Sequence, residues 1–270
     1  MGDTRSTRAK YRKAETIDES LIRRVQRGPI PMFTYSPPTG PVPVIHHDPA
    51  FVVINKPAGL LSVPGISEDK QDCVRSRVLE QFPDATGPLT CHRLDLSTSG
   101  LMILALDPKT HKNLSKQFED RVISKRYLAL VEGHLHISEA STINAPIRKD
   151  MDVRPLMCVD YLYGKPSVTH YTILSTEQLN GRPVTRMELI PHTGRTHQLR
   201  VHCAHPFVTT VGEQADQETA GLGAPIVGDE LYGQDISNPT APRLMLHAST
   251  LSMHHPITGK QLSFKAEDPF

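Results

Sequence analysis

The chain has 270 residues, 38% of them hydrophobic and 22% charged, with 30 basic against 29 acidic side chains. That is enough apolar material for one or two packed cores and too little net charge for a wholly disordered chain. No apolar run approaches the roughly 18 residues that span a bilayer, the longest strongly apolar stretch being Leu101 to Leu106.

The first residues, MGDTRSTRAKYRKAETIDES, hold no hydrophobic segment and carry Asp3, Glu15, Asp18 and Glu19, which argues against a secretory or organelle leader. Residues 1–27 contain eight basic and four acidic side chains, a local charge of +4, so the remainder carries −3. Such an arm suits either a solvated tail or a phosphate-binding segment. Six prolines between Pro29 and Pro43 then make a stiff, non-helical connector. Residues 1–43 are therefore read as a basic, proline-rich arm and residues 44–270 as one catalytic domain.

Within that domain, Val44 to Asn55 reads as two strands about the turn His47-Asp48-Pro49. Asp72 to Phe82 has helical spacing, with Val74, Val78 and Phe82 four apart. Gly100 to Leu106 is a buried strand, and Asp107-Pro108 is a cap followed by proline in the first turn of a helix to about Arg121. Lys125 to Gly133, Val168 to Leu174 and Val184 to Ile190 are strand-like. Thr193-Gly194 is expected to start a helix running to about His205. Val208 to Gly223 is polar and small, a surface loop. Leu244 to Met253 and Leu262 to Lys265 close the chain as strands. Strands dominate without regular strand–helix alternation, which predicts an α+β fold with a mixed, mainly antiparallel sheet.

Two segments can carry chemistry. In His92-Arg93-Leu94-Asp95, followed by Leu96-Ser97-Thr98-Ser99-Gly100, a carboxylate sits on a Ser/Thr/Gly-rich turn just before the buried strand. Held there it can act as nucleophile or general base, or simply cap its own turn. In His192 to Arg200, helical spacing would put Arg195, Leu199 and His202 on one face. A guanidinium at a helix start is unfavourable for the helix dipole, which points to a task for Arg195; a solvated basic helix is the alternative. Tyr127 opens an alternating strand and by itself reads as a core tyrosine. His192, His197, His202, His205 and Cys203 lack zinc spacing, and no phosphate loop, dinucleotide fingerprint or serine elbow is present.

Six ordered blocks carry a resemblance: INKPAGLLSVPG (54–65), HRLDLSTSGLMILA (92–105), KRYLALVEG (125–133), PHTGRTHQLRVH (191–202), PIVGDELYG (225–233) and RLMLHASTLSMHHPITG (243–259). Together they resemble the RluA-type pseudouridine synthases, most closely the short subgroup without an extra N-terminal RNA-binding domain. The resemblance implies the pseudouridine synthase fold with a central RNA-binding cleft. It implies isomerisation of uridine to pseudouridine, which needs no cofactor and no metal. It makes Asp95 the catalytic residue, with Tyr127 against the uracil and Arg195 as partner of Asp95. It also puts Leu199 under the base and Arg93 on the flipped nucleotide. His92 and His197, inside the same blocks, are further candidates for substrate contact. The expected partner is structured RNA, a tRNA anticodon loop and/or a large-subunit rRNA hairpin, met in the cytoplasm by a monomer with no membrane contact. A catalytically silent RNA-binding relative and a metal-dependent aspartate hydrolase are the alternatives.

Overall fold

A computed structural model describes residues 22–23, 34–135, 140–206, 221–233 and 241–270. In chain order the elements are β1 (Ile22–Arg23), β2 (Val44–His47), β3 (Phe51–Lys56), a short 3-10 turn (Glu68–Lys70), α1 (Val74–Gln81), β4 (Ser99–Ala105), α2 (Pro108–Glu119) and β5 (Ser124–Glu132). There follow β6 (Ala140–Asn144), β7 (Ile147–Lys149), β8 (Met157–Asp160), β9 (Val168–Leu179), β10 (Arg182–Pro191), α3 (Gln198–Ala204), β11 (Leu246–His254) and β12 (Gln261–Lys265).

The run Ser99–Ala105 is buried at every position because both faces of β4 are covered. Leu101, Ile103 and Ala105 pack with Phe51, Val53, Leu114 and Leu251. Met102 and Leu104 point the other way, onto Val52, Ile54, Val74 and Val78. A third cluster fills the other half of the molecule around Ala129, Val131, Met187, Leu189 and Val201.

A nine-stranded sheet joins the two halves, in the order β2-β3-β4-β11-β5-β10-β9-β6, with β12 on β11. All its pairings are antiparallel except β4 with β11, where Ser99 and Gly100 lie opposite His247 and Ala248. Gly100 sits at φ +114°, and a Cβ there would lie 2.4 Å from the backbone nitrogen and oxygen of Ala248. Only glycine allows so close an approach. The contact brings the turn before β4 beside β5, whose Tyr127 is opposite Ala248 in the sheet.

Asp107 caps α2 as expected: its carboxylate accepts from the N–H groups of Lys109 and Thr110 at 2.8 and 2.9 Å. Three expectations need correction. The strands β6, β7 and β8 are too short and too interrupted to show a period. The segment Thr193 to Thr196 is not helical, and α3 begins only at Gln198.

The ordered body also begins before Val44. Arg77 donates to the carbonyls of Pro38 (2.6 Å) and Gly40 (2.7 Å), and the Tyr35 hydroxyl donates to the carbonyl of Asp72 (2.7 Å). The connector is thereby fastened over α1, and β1 pairs antiparallel with β8. Otherwise the basic arm lies outside the described residues, as does the 208–220 part of the Val208–Gly223 loop.

Candidate active site

Asp95 stands on a turn closed by the Thr98 N–H on its own carbonyl (3.2 Å). Three side chains from elsewhere fix that turn. The Lys56 ammonium, fully buried, donates to the carbonyls of Leu96 (2.9 Å), Leu60 (2.6 Å) and Pro57 (3.0 Å). Burial pulls its pKa down to about 7, against the attraction of Asp95. The Ser62 hydroxyl donates to the carbonyl of Leu94 (2.7 Å) and accepts from its N–H (3.1 Å). The Ser97 hydroxyl donates to Glu230 at 2.7 Å.

Glu230 leads to α3. Arg200 is 2% exposed and forks onto Asp229, at 2.9 Å through Nε and 2.5 Å through a terminal nitrogen, which also reaches Glu230 at 3.1 Å. Against the penalty of burial, the charges of Asp229 and Glu230 keep Arg200 firmly protonated. One chain of bonds thus ties the Asp95 turn, the 229–232 turn and α3 together. The residue beside Arg200, Leu199, is buried and lines the cleft.

The cleft measures about 680 Å³ and is lined by Asp95, Tyr127, Arg195, Leu199, Arg93 and His92 among others. Six of the seven candidate site residues therefore share one cavity. Tyr127 is nearly buried; burial and the Asp95 charge raise its pKa, so it meets a ligand as a neutral phenol. Its hydroxyl has no hydrogen-bond partner among the described residues, so its donor is available to a ligand.

Two assignments change on sight of the geometry. Arg195 does not pair with Asp95: Asp95 has no ion pair within 4.0 Å among the described residues, and the Arg195 guanidinium holds the Pro166 carbonyl through two bonds of 3.3 Å. Nor does Arg195 share a helical face with Leu199 and His202. The Gln198 side chain accepts from the Thr193 hydroxyl (2.7 Å) and the Arg195 N–H (3.1 Å), and His197 is left-handed (φ 54°), so the chain turns before the helix starts. His202 is buried elsewhere, between the Thr169 hydroxyl and the Ala145 carbonyl.

The two candidate histidines have structural engagements. Nε2 of His92 accepts the Ile103 N–H at 3.0 Å, and its ring stacks on Phe118 with centroids 4.4 Å apart. Burial, aided by the Lys125 charge, lowers its pKa to about 3, so it is neutral. His197 is not among the lining residues; Nδ1 lies 2.8 Å from the Tyr232 hydroxyl, which accepts from the Met157 N–H. Lys56, Lys125, Arg200, Asp229 and Glu230 escape a reading of spacing. They lie inside the recognisable blocks, but only burial (Lys56, Arg200, Asp229), a bond to the Asp95 turn (Glu230) or a place on the cleft wall (Lys125) marks them. Among the described residues no group of three or more His, Cys, Asp or Glu side chains is placed to hold a metal ion, and no helix is long and apolar enough to cross a membrane.

An aspartate on a rigid turn faces a neutral tyrosine across a cleft rimmed by arginines, at the seam of a mixed sheet. The sequence model of the RNA pseudouridylate synthase family matches residues 50–205. The dual-specificity RNA pseudouridine synthase RluA of Pasteurella multocida is 40% identical over 240 residues, covering 88% of this chain and 99% of that protein. RluA of Escherichia coli K12 is 37% identical over 240 residues with the same coverage. The solved human RNA pseudouridylate synthase domain containing 1 superposes with a TM-score of 0.67 at 31% identity, over 87% of both chains. Human domain containing 4 gives 0.60 at 25%, over 84% of this chain and 88% of that one. The chain belongs to the RNA pseudouridylate synthase family, in its RluA-type branch, and is an isomerase that converts uridine in RNA to pseudouridine.

Proposed function

We propose that the enzyme modifies a uridine in more than one structured RNA, a tRNA anticodon loop and a large-subunit rRNA hairpin, with Asp95 as its catalytic residue. The observation that carries this is the common cleft of Asp95, Tyr127 and Leu199 with Arg93 and Arg195 at its edge. The dual-specificity RluA relatives support the breadth of target.

The reaction breaks the glycosidic bond, turns the uracil and rejoins it through carbon 5, so atoms balance without oxidant, reductant or water. A uridine inside a stack cannot reach Asp95, and extruding it costs a few kcal/mol, least from a loop. Arg93, exposed beside Asp95, holds the displaced nucleotide. Tyr127 and Leu199 give the uracil an apolar slot in which it can turn, and the Tyr127 hydroxyl remains a donor throughout. Asp95 addresses the ribose, at the anomeric carbon or its neighbour. Arg195 is held by one carbonyl only, so a side-chain rotation on RNA binding brings it to Asp95, where a cation favours the carboxylate. All these groups come from one chain, consistent with a monomer, and the RNA targets belong to the cytoplasm.

The test uses transcripts of both stem-loops labelled with tritium at uracil carbon 5, whose release marks each turnover. The wild-type enzyme should release label from both, from one position in each. Asp95→Asn should bind both RNAs with affinity near wild type and release none. Turnover by Asp95→Asn above a few per cent of wild type would remove Asp95 from its role, and release from one RNA alone would refute dual targeting.

A further inference from the structure

Lys125 has an unusual position for a lysine. It lies two residues before Tyr127 on β5, on the same face, and both line the cleft. Its ammonium makes no hydrogen bond and no ion pair among the described residues. Its Nζ lies 6.0 Å from the centroid of the Phe118 ring and 3.9 Å from where a Cβ on Gly194 would stand. Burial lowers its pKa, and the neighbouring His92 is neutral. A largely desolvated ammonium without a counter-charge is unfavourable by itself. By contrast, Lys56, the fully buried lysine of the site, has all three donors satisfied.

The surroundings suit an anion. Arg93, Arg121, His192 and Arg195 line the same cleft, and neither of its lining acids, Asp95 and Glu119, lies within 4.0 Å of the Lys125 ammonium. Two strand residues separate side chains by about 6.8 Å. With the uracil against Tyr127, that offset puts Lys125 beyond the base, at the reach of the nucleotide's own backbone. Resting on the pseudouridine synthase reading, we propose that Lys125 binds a phosphodiester group flanking the target uridine, as a positioning residue that fixes the flipped nucleotide. The ligand is thus an anionic phosphate oxygen of RNA; an oxygen of the uracil is the competing target.

The experiment uses the full-length enzyme and hairpins in which one of the two flanking phosphates is replaced by a neutral methylphosphonate. Lys125→Met should raise the half-saturating RNA concentration roughly tenfold, as expected for one charge-assisted bond, and leave the maximal rate within about twofold. The slope of log affinity against log salt should fall by about 0.7–0.9, one phosphate's worth. Lys125→Arg should restore most of the affinity. With wild type, one methylphosphonate hairpin should show the same loss, and combining it with Lys125→Met should add nothing. Equal additive losses at both phosphates, or an unchanged salt slope, would overturn the proposal. A fall in maximal rate with unchanged affinity would assign Lys125 to the uracil instead. If Lys125→Met fails to fold, the wild-type methylphosphonate series and Lys125→Arg decide: no affinity loss at either phosphate refutes the contact. Formation of pseudouridine by wild type in the unmodified hairpin keeps this outcome separate from any failure of the enzymatic assignment.

Discussion

At the scale of single residues, the site separates groups that are locked from groups left available. Lys56, Ser62 and Glu230 hold the Asp95 turn by short bonds to its backbone or to Ser97. Tyr127, Lys125 and Arg195 line the same cleft with few or no hydrogen-bond partners for their side chains among the described residues. Rigid support under Asp95 sets its position, whereas Arg195 can move without breaking any strong contact. Arg195→Met should therefore leave stability within about 0.5 kcal/mol of wild type, as for most substitutions that remove weak outer contacts. Activity should fall much further, and the acidic limb of the pH–rate profile should move to higher pH, because loss of a cation disfavours a carboxylate. Single-turnover rates from pH 5 to 8 would measure the limb. An unmoved limb would show that Arg195 does not act through Asp95.

At the scale of elements, the parallel seam between β4 and β11 sets the distance across the cleft. Gly100→Ala would drive a methyl group into the Ala248 backbone at 2.4 Å and hold a non-glycine residue at φ +114°. Strain and overpacking together should cost at least about 3 kcal/mol, read from urea unfolding. A variant within 1 kcal/mol of wild type would show that the seam gives way freely. The seam itself was partly legible: the buried run through Leu106 and the glycine before it were plain, but their parallel partner was not, since a strand more than 140 residues away leaves no local period. The capped α2 could be read from Asp107-Pro108 because its cap is made by neighbours in sequence. The start of α3 could not, because Gln198 reaches back to Thr193 and Arg195, and that interaction looks like nothing in a hydrophobic pattern. Asp95, Tyr127, Arg195 and Leu199 were found through blocks that resemble a family. Arg200 carries its meaning in burial and Lys125 in its place on the cleft wall, neither of which charge alone discloses.

Across the whole molecule, three histidines are held in their neutral form, His92 half-buried and His202 and His247 buried. His92 serves β4 by accepting the Ile103 N–H, and its pKa is lowered by burial to about 3. His202 in α3 lies between the Thr169 hydroxyl, which also accepts from the Gln198 amide, and the Ala145 carbonyl. That arrangement makes Nδ1 the acceptor and Nε2–H the donor, and burial lowers the pKa to about 4. His247 on β11 has Nδ1 2.9 Å from the Ser99 hydroxyl, and burial and the Arg243 charge lower it to about 4. Unfolded, each titrates near 6.5. Between pH 6.5 and about 4 the unfolded chain therefore binds more protons than the folded one, so the histidine contribution is complete above pH 6.5 and is lost as pH falls. With three sites the slope approaches about 4 kcal/mol per pH unit near pH 5. Lowered carboxylates such as Asp72, Asp160 and Glu177 add their own loss only further down. Urea unfolding at pH 7.5, 6.5, 5.5 and 5.0 should show this steep fall. His202→Gln should be less stable than wild type at pH 7.5, and its stability should fall less steeply, by about one proton's worth. Equal stability of the wild type at pH 7.5 and 5.0 would mean that these imidazoles accept protons without unfolding, and would refute the neutral assignments on which the packing of both halves depends.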